Sequence, residues 1–131
     1  MEYHSIENGF KLAYEISGNA QGPKVVLLHG LFLNSDCWRE QLDFFEEDFN
    51  ILRFDLRGHG RTTKPQERFT IKNYVDDMHS LLEMLGWTKD LYLVGHSLGA
   101  MISLVYGLKY PSHVKKIISC SGFCYISFEA E

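Results

Sequence analysis

Three cysteines and three prolines are all that the 131 residues carry, the basic residues form no cluster, and no apolar run is long. Each scarcity excludes something. Cys37, Cys120 and Cys124 are odd in number and lack metal-ligand spacing with histidine, which argues against a disulfide framework and against a metal centre. They fit the reduced thiols of a cytoplasmic protein, behaving as small buried hydrophobes, with pairing or metal sharing by Cys120 and Cys124 as the less favoured alternative. A formal net charge of -4 without a basic patch removes the footprint of a nucleic-acid binder and of a protein drawn to anionic membranes. No segment approaches the roughly 20 apolar residues of a membrane span. The opening MEYHSIENGFK has no basic stretch followed by an apolar one and does not read as a secretory signal. With neither a dinucleotide fingerprint nor a ligand cluster, no cofactor and no metal are implied, and the expected partner is a small molecule.

The hydrophobic content of 45% and charged content of 23% are those of a globular protein, and the length suits one domain over 1–131. Two β-favouring runs, Tyr3 to Ile6 and Phe10 to Ile16, flank Asn8-Gly9 and predict a hairpin. Val25-Val26-Leu27-Leu28 is a continuous apolar run, as in a strand buried on both faces. Asn34, Ser35 and Asp36 can cap a helix along which Trp38, Leu42 and Phe45 recur, ending near Glu47. Ile51 to Phe54 reads as a strand leading into a polar, glycine-rich loop from Asp55 to Lys64. From Thr70, the positions Ile71, Tyr74, Val75, Met78, Leu81, Leu82 and Leu85 mark one helical face that Gly86 terminates. Leu91 to Val94 is a further strand. Met101, Leu104, Val105 and Leu108 predict the apolar face of a helix ending before Pro111, and Val114 to Ser119 a last strand. Strands alternating with helices at this spacing require crossover connections, so the fold class is α/β: a mostly parallel sheet with helices on both faces.

Gly95-His96-Ser97-Leu98-Gly99 falls between a strand and a helix, the context that lifts a serine out of a sheet on a strained turn. Side chains at Gly95 and Gly99 would obstruct the close passage of strand and helix, and the helix start aims the Leu98 N–H at the reacting centre. His29-Gly30 follows the Val25 to Leu28 strand, and Leu31 offers a second backbone donor beside the first. Asp55-Leu56-Arg57-Gly58-His59-Gly60 and Tyr110-Pro111-Ser112-His113-Val114 complete the ordered set.

With these motifs the sequence resembles the α/β-hydrolase superfamily, in its lidded esterase, lipase-like and carbon-carbon hydrolase branch, over essentially the whole chain. The resemblance implies Ser97 as nucleophile, Leu31 and Leu98 as oxyanion donors, and His29, Gly30, Gly95, His96 and Gly99 as motif support. It implies an eight-stranded sheet of which this chain supplies about the first six strands, without a cap. It places the catalytic acid and histidine after later strands, so this chain is expected to be the amino-terminal half of such a domain. The stretch Ser119 to Cys124 holds no carboxylate, and Glu129 and Glu131 come too late. Of the histidines present, His29 and His96 are expected to be structural, with His96 pointing away from Ser97; His59 is a loop residue and the weak alternative as base; His79 is expected on the polar side of its helix; His4 and His113 at the surface. Asp55 and Arg57 are expected to form a local ion pair rather than a substrate contact. Phe123, Tyr125 and Phe128 read equally as the start of a pocket or as exposed former core.

Two functions follow. The first is a serine hydrolase of an ester or related acyl substrate whose base comes from a partner chain, another copy, or the remainder of a longer protein, the last being favoured. The second is an inert half-domain that homo-oligomerises or binds a complementing carboxy-terminal half through the exposed edge of the Val114 to Ser119 strand.

Overall fold

The structure is a computed structural model and describes residues 1–122. Strands β1 (Glu2–Ser5), β2 (Lys11–Gly18), β3 (Lys24–Leu28), β4 (Asn50–Phe54), β5 (Leu91–His96) and β6 (Val114–Cys120) form one sheet in the order β1-β2-β4-β3-β5-β6. β3 pairs in parallel with both β4 and β5, and β5 with β6, while β2 runs antiparallel to β1 and β4. The opening hairpin forms as expected, though a 3-10 turn over Glu7–Gly9 joins its strands.

Helices α1 (Arg39–Phe45), α2 (Ile71–Leu85) and α3 (Leu98–Lys109) cover the sheet from opposite sides. Strand alternation assigns the faces: Val26, Leu28, Leu52, Phe54, Leu91 and Leu93 join Met78, Leu81, Leu82, Ile102 and Tyr106 in the larger core. Leu27 and Ile51 meet Leu42 of α1 on the other face, with Trp38 and Phe49 alongside. That second face is only partly covered: α1 leaves an apolar hollow of about 410 Å³ lined by Val25, Leu27, Trp38, Ile51, Val94 and Ile118 among others.

Asn34 caps the 3-10 turn Ser35–Trp38 that leads into α1, accepting the Asp36 N–H at 2.8 Å. Asn73 Oδ1 accepts the Thr70 N–H at 2.8 Å at the start of α2. Gly86, at φ 71°, ends it in the left-handed conformation, which costs a residue without a Cβ little.

The face of α3 is not the expected one. Gly99, Ala100, Ile102, Ser103 and Tyr106 are buried, while Val105 and Leu108 are exposed, Leu108 to 83%. The helix is apolar almost all round, so hydrophobic spacing does not select a side; small residues do, because they let the helix axis approach the sheet. A Cβ on Gly99 would run into the backbone of Leu28 and the His29 carbonyl, whereas one on Gly107 would meet only the movable Ile117 Cδ1, at 2.7 Å. Gly99→Ala should therefore lose about 3 kcal/mol of unfolding free energy. Gly107→Ala should stay within about 1 kcal/mol of wild type, since alanine's better helix propensity offsets a side-chain shift. Urea titrations of the two variants check this, and equal losses would contradict the packing described.

Candidate active site

The candidate nucleophile sits where β5 passes into α3. Ser97 has φ 52° and ψ -112°, a strained backbone for a residue with a Cβ. Several bonds hold it there: its N–H donates to the Cys120 carbonyl at 2.9 Å, and its carbonyl accepts from Ala100 and Met101 at 3.0 and 3.2 Å. A Cβ on Gly95 would collide with the Gly99 carbonyl and the Ala100 nitrogen, so the turn closes only with glycine on both sides of the serine. Ser97 is half-buried. Among the described residues its hydroxyl makes no hydrogen bond, and the Leu98 N–H, in the first turn of α3, has no backbone acceptor.

The β3 turn lies alongside. Leu28 pairs with Gly95, and a Cβ on Gly30 would come within 2.9 Å of His96 Nδ1. The His96 ring therefore reaches across to the β3 turn rather than standing free. His29 is fully buried: its Nδ1–H donates to the Gly30 carbonyl at 2.8 Å and its Nε2 accepts the Leu56 N–H at 2.9 Å, which fixes the neutral tautomer. Burial drives the ring down to about 4, a shift that the bond to Gly30 only partly offsets. The Gly30 carbonyl also accepts the Leu33 N–H at 3.2 Å, so His29 and Leu33 together set the path of the chain at Leu31. Leu31 is half exposed, and Phe32 has φ 64°.

The loop after β4 corrects one expectation. Asp55 and Arg57 do not pair with each other. Asp55 is fully buried and accepts from the Ser35 N–H at 2.8 Å, the Arg61 N–H at 2.9 Å and Arg61 Nε at 3.0 Å. Burial alone would raise this carboxyl, but the Arg61 and Ser35 donors overcome it and hold the group at about 2. Arg57 instead makes a two-pronged pair with Asp77 of α2, at 2.8 and 2.7 Å, and lies over the Phe10 ring. Both side chains serve structure, Asp55 by bonds within its own loop and to Ser35, Arg57 through α2. The charge at the otherwise apolar α2 position 77 was the available signal.

The remaining histidines are engaged elsewhere. His59 Nδ1–H donates to the Arg57 carbonyl at 2.9 Å, and its ring meets His29 edge-on with centroids 5.2 Å apart. His79 is not on a polar face: it stacks on Tyr110 at 4.0 Å, packs beside Tyr106 and His113, and lies 3.6 Å from Glu83. The periodic apolar residues of α2 conceal this, because the side chains that meet His79, Tyr106 of α3 and Tyr110 and His113 just after it, are themselves aromatic and polar. His4 bonds Ser80 at 2.8 Å and His113 meets the Tyr106 hydroxyl at 3.0 Å, so neither is a free surface group. No histidine bonds Ser97 among the described residues. Phe123, Cys124, Tyr125, Phe128, Glu129 and Glu131 lie outside those residues. Cys37 and Cys120 are free thiols. Among the described residues no group of three or more metal-ligating side chains occurs, and no helix is long and apolar enough to cross a membrane.

A family model described as alpha/beta hydrolase fold matches residues 23–128. Epoxide hydrolase 3 of Mus musculus is 32% identical over 117 residues, covering 88% of this chain and 32% of that protein. The bifunctional esterase/perhydrolase DCH of Acinetobacter calcoaceticus is 34% identical over 113 residues, covering 86% of this chain and 41% of its own length. Among solved structures, a carboxylesterase of the thaumarchaeon Nitrososphaera gargenis superposes with a TM-score of 0.86 at 30% identity, over 93% of this chain and 46% of that one. The chain thus spans from about a third to less than half of the relatives it matches.

Stability should fall in two acid steps. His29 titrates near 4 when folded against 6.5 when unfolded, so the unfolded chain binds more protons between these values. Its contribution of about 3 kcal/mol is complete above pH 6.5 and is lost as the pH falls to about 4. Asp55, depressed to about 2 from 3.8, contributes above the higher value and loses that contribution toward the lower. Denaturant titrations across pH should show a flattened upper step in His29→Gln and a flattened lower step in Asp55→Asn; unchanged slopes would contradict the assignment.

Proposed function

Because this chain belongs to the alpha/beta hydrolase fold family, we propose that it carries the nucleophile half of a serine hydrolase acting on an ester or related acyl substrate. The strained Ser97 turn beside the β3 turn is the observation that carries this reading. In the proposed reaction Ser97 Oγ loses its proton to a base and attacks the substrate carbonyl. The Leu31 and Leu98 N–H groups hold the oxygen as it becomes negative, and the leaving alcohol departs with a proton. Water then attacks the acyl-serine ester and regenerates Ser97.

Relatives include both an epoxide hydrolase and an esterase, and the chemistry of the nucleophile favours the second. A serine alkoxide that opened an epoxide would be left as an ether, which has no carbonyl for water to attack, so turnover would stop at one event. An acyl-serine is an ester and can be released. The base and its orienting acid are assigned to a segment beyond this chain, the remainder of a longer protein being the favoured source. No described histidine bonds Ser97, so the 131-residue chain alone should show only the residual acceleration that binding and oxyanion donors supply, about 10³ to 10⁴ over water.

A second reading, assembly, is favoured by one observation. β6 ends the sheet among the described residues, with Ile118 56% exposed and flanking the open apolar hollow on the α1 face. An unpaired strand beside apolar surface seeks a partner. It suits a second copy or a carboxy-terminal half.

Two measurements test these proposals. A fluorophosphonate should label Ser97 stoichiometrically when this chain is presented with a complementing histidine and acid, and slowly or not at all in the chain alone; labelling that survives Ser97→Ala would contradict the nucleophile assignment. In sedimentation at micromolar concentration the chain should run as a dimer or larger, and a monodisperse monomer would contradict the assembly reading.

A further inference from the structure

A second hollow, of about 410 Å³, opens beside the proposed oxyanion turn. Leu31, Phe32 and Leu33 form one wall, Gly58, His59 and Gly60 another, and Phe69 with Tyr74 the floor. Three large apolar side chains stand in solvent on the first wall, Phe32 to 89%, and Phe32 holds a positive φ that neither glycine nor a capping role explains. Exposed apolar groups around a concavity are what an apolar ligand requires.

Three polar side chains line this hollow, His59, Lys64 and Tyr74, and the first has a defined hydrogen-bonding role. His59 is only 9% exposed. Its Nδ1 carries the hydrogen that it donates to the Arg57 carbonyl, so the lone pair of the neutral ring is on Nε2. Nε2 has no hydrogen-bond partner among the described residues, and the ring lines the hollow. The ring cannot swing away freely: it packs edge-on against the immobilised His29, and Gly58 and Gly60 flank it in left-handed conformations. Lys64 can only donate, so the imidazole is an acceptor placed among leucine, phenylalanine and glycine, and it discriminates by hydrogen bonding because a ligand without a donor leaves it unpaired.

We infer that this hollow is the acyl-group subsite, taking an apolar chain that bears a hydroxyl or amide N–H donor, and that His59 Nε2 accepts that donor and determines specificity. The assignment rests on the acyl-hydrolase reading for its place in a reaction. Leu31 joins the two, since its N–H is assigned to the oxyanion and the residue also lines the hollow. His59 is thus a recognition group, not the base.

The test is equilibrium binding, which makes no bond at Ser97 and so stands or fails apart from fluorophosphonate labelling. The chain is titrated at pH 8 with 1-pentanol and with its isomer butyl methyl ether, followed by NMR of the His59 and Phe69 rings. The two probes differ in one O–H donor at constant composition. The alcohol should bind about 10-fold more tightly, the worth of one buried hydrogen bond. His59→Phe should bring the ratio to about 1, and His59→Gln, whose carbonyl accepts, should restore part of it. Phe69→Ala should weaken both probes about equally and leave the ratio intact, which reads the hollow even if a His59 variant fails to fold. Equal affinities in the wild type, a ratio that survives His59→Phe, or resonances at His59 and Phe69 unmoved by either probe would each overturn the assignment.

Discussion

The proposed active site depends on how closely backbone can approach backbone at one point. The end of β5, the start of α3 and the end of β3 meet with no side chain between them: Gly95 lies against Gly99 and Ala100, and Gly99 against Leu28 and His29. A methyl group at either glycine would push the elements apart. Their closeness puts the Ser97 turn and the Gly30–Leu31 turn side by side, so that two backbone donors and one hydroxyl can converge without any charged residue. The proposed catalysis relies on dipoles already oriented before the reaction, an orientation that sterics would supply.

A second layer holds the turns in register. His29, neutral and fully buried, ties the β3 turn to the start of the loop after β4 by accepting the Leu56 N–H. Asp55 then gathers Ser35 and Arg61, and Thr62 spans from the Asp55 carbonyl at 2.6 Å to the Ala13 N–H at 2.9 Å. Arg57 carries the same loop onto α2 through Asp77. These groups surround the proposed site without entering the chemistry, and buried polar groups that are fully paired specify one arrangement of the chain better than apolar contacts do.

What was legible in the sequence follows from the range of each interaction. Strand runs, the α2 face and the Gly86 stop are local patterns, and the structure has them within a residue or two. The strained turn at Ser97 was legible because its mechanics confine glycine to fixed offsets. The α3 face was not, because Met101, Leu104 and Leu108 are as apolar as the buried Ile102, and steric fit at the small residues Gly99, Ala100 and Ser103 decides the side. The pairing of Arg57 with Asp77 and of His79 with Tyr110 was equally hidden, since these side chains reach partners on other parts of the chain that no spacing rule brings together, and within the loop nothing in the spacing marks Arg61 rather than Arg57 as the partner of Asp55.

The central claim is that the two turns form one oxyanion site around Ser97. The most direct measurement is a crystal structure of the protein phosphonylated on Ser97. The account predicts one phosphoryl oxygen within hydrogen-bonding distance, about 2.7 to 3.1 Å, of both the Leu31 and Leu98 nitrogens, with φ at Ser97 still positive. An adduct whose oxygens all face solvent, with either N–H bonded elsewhere, would contradict it.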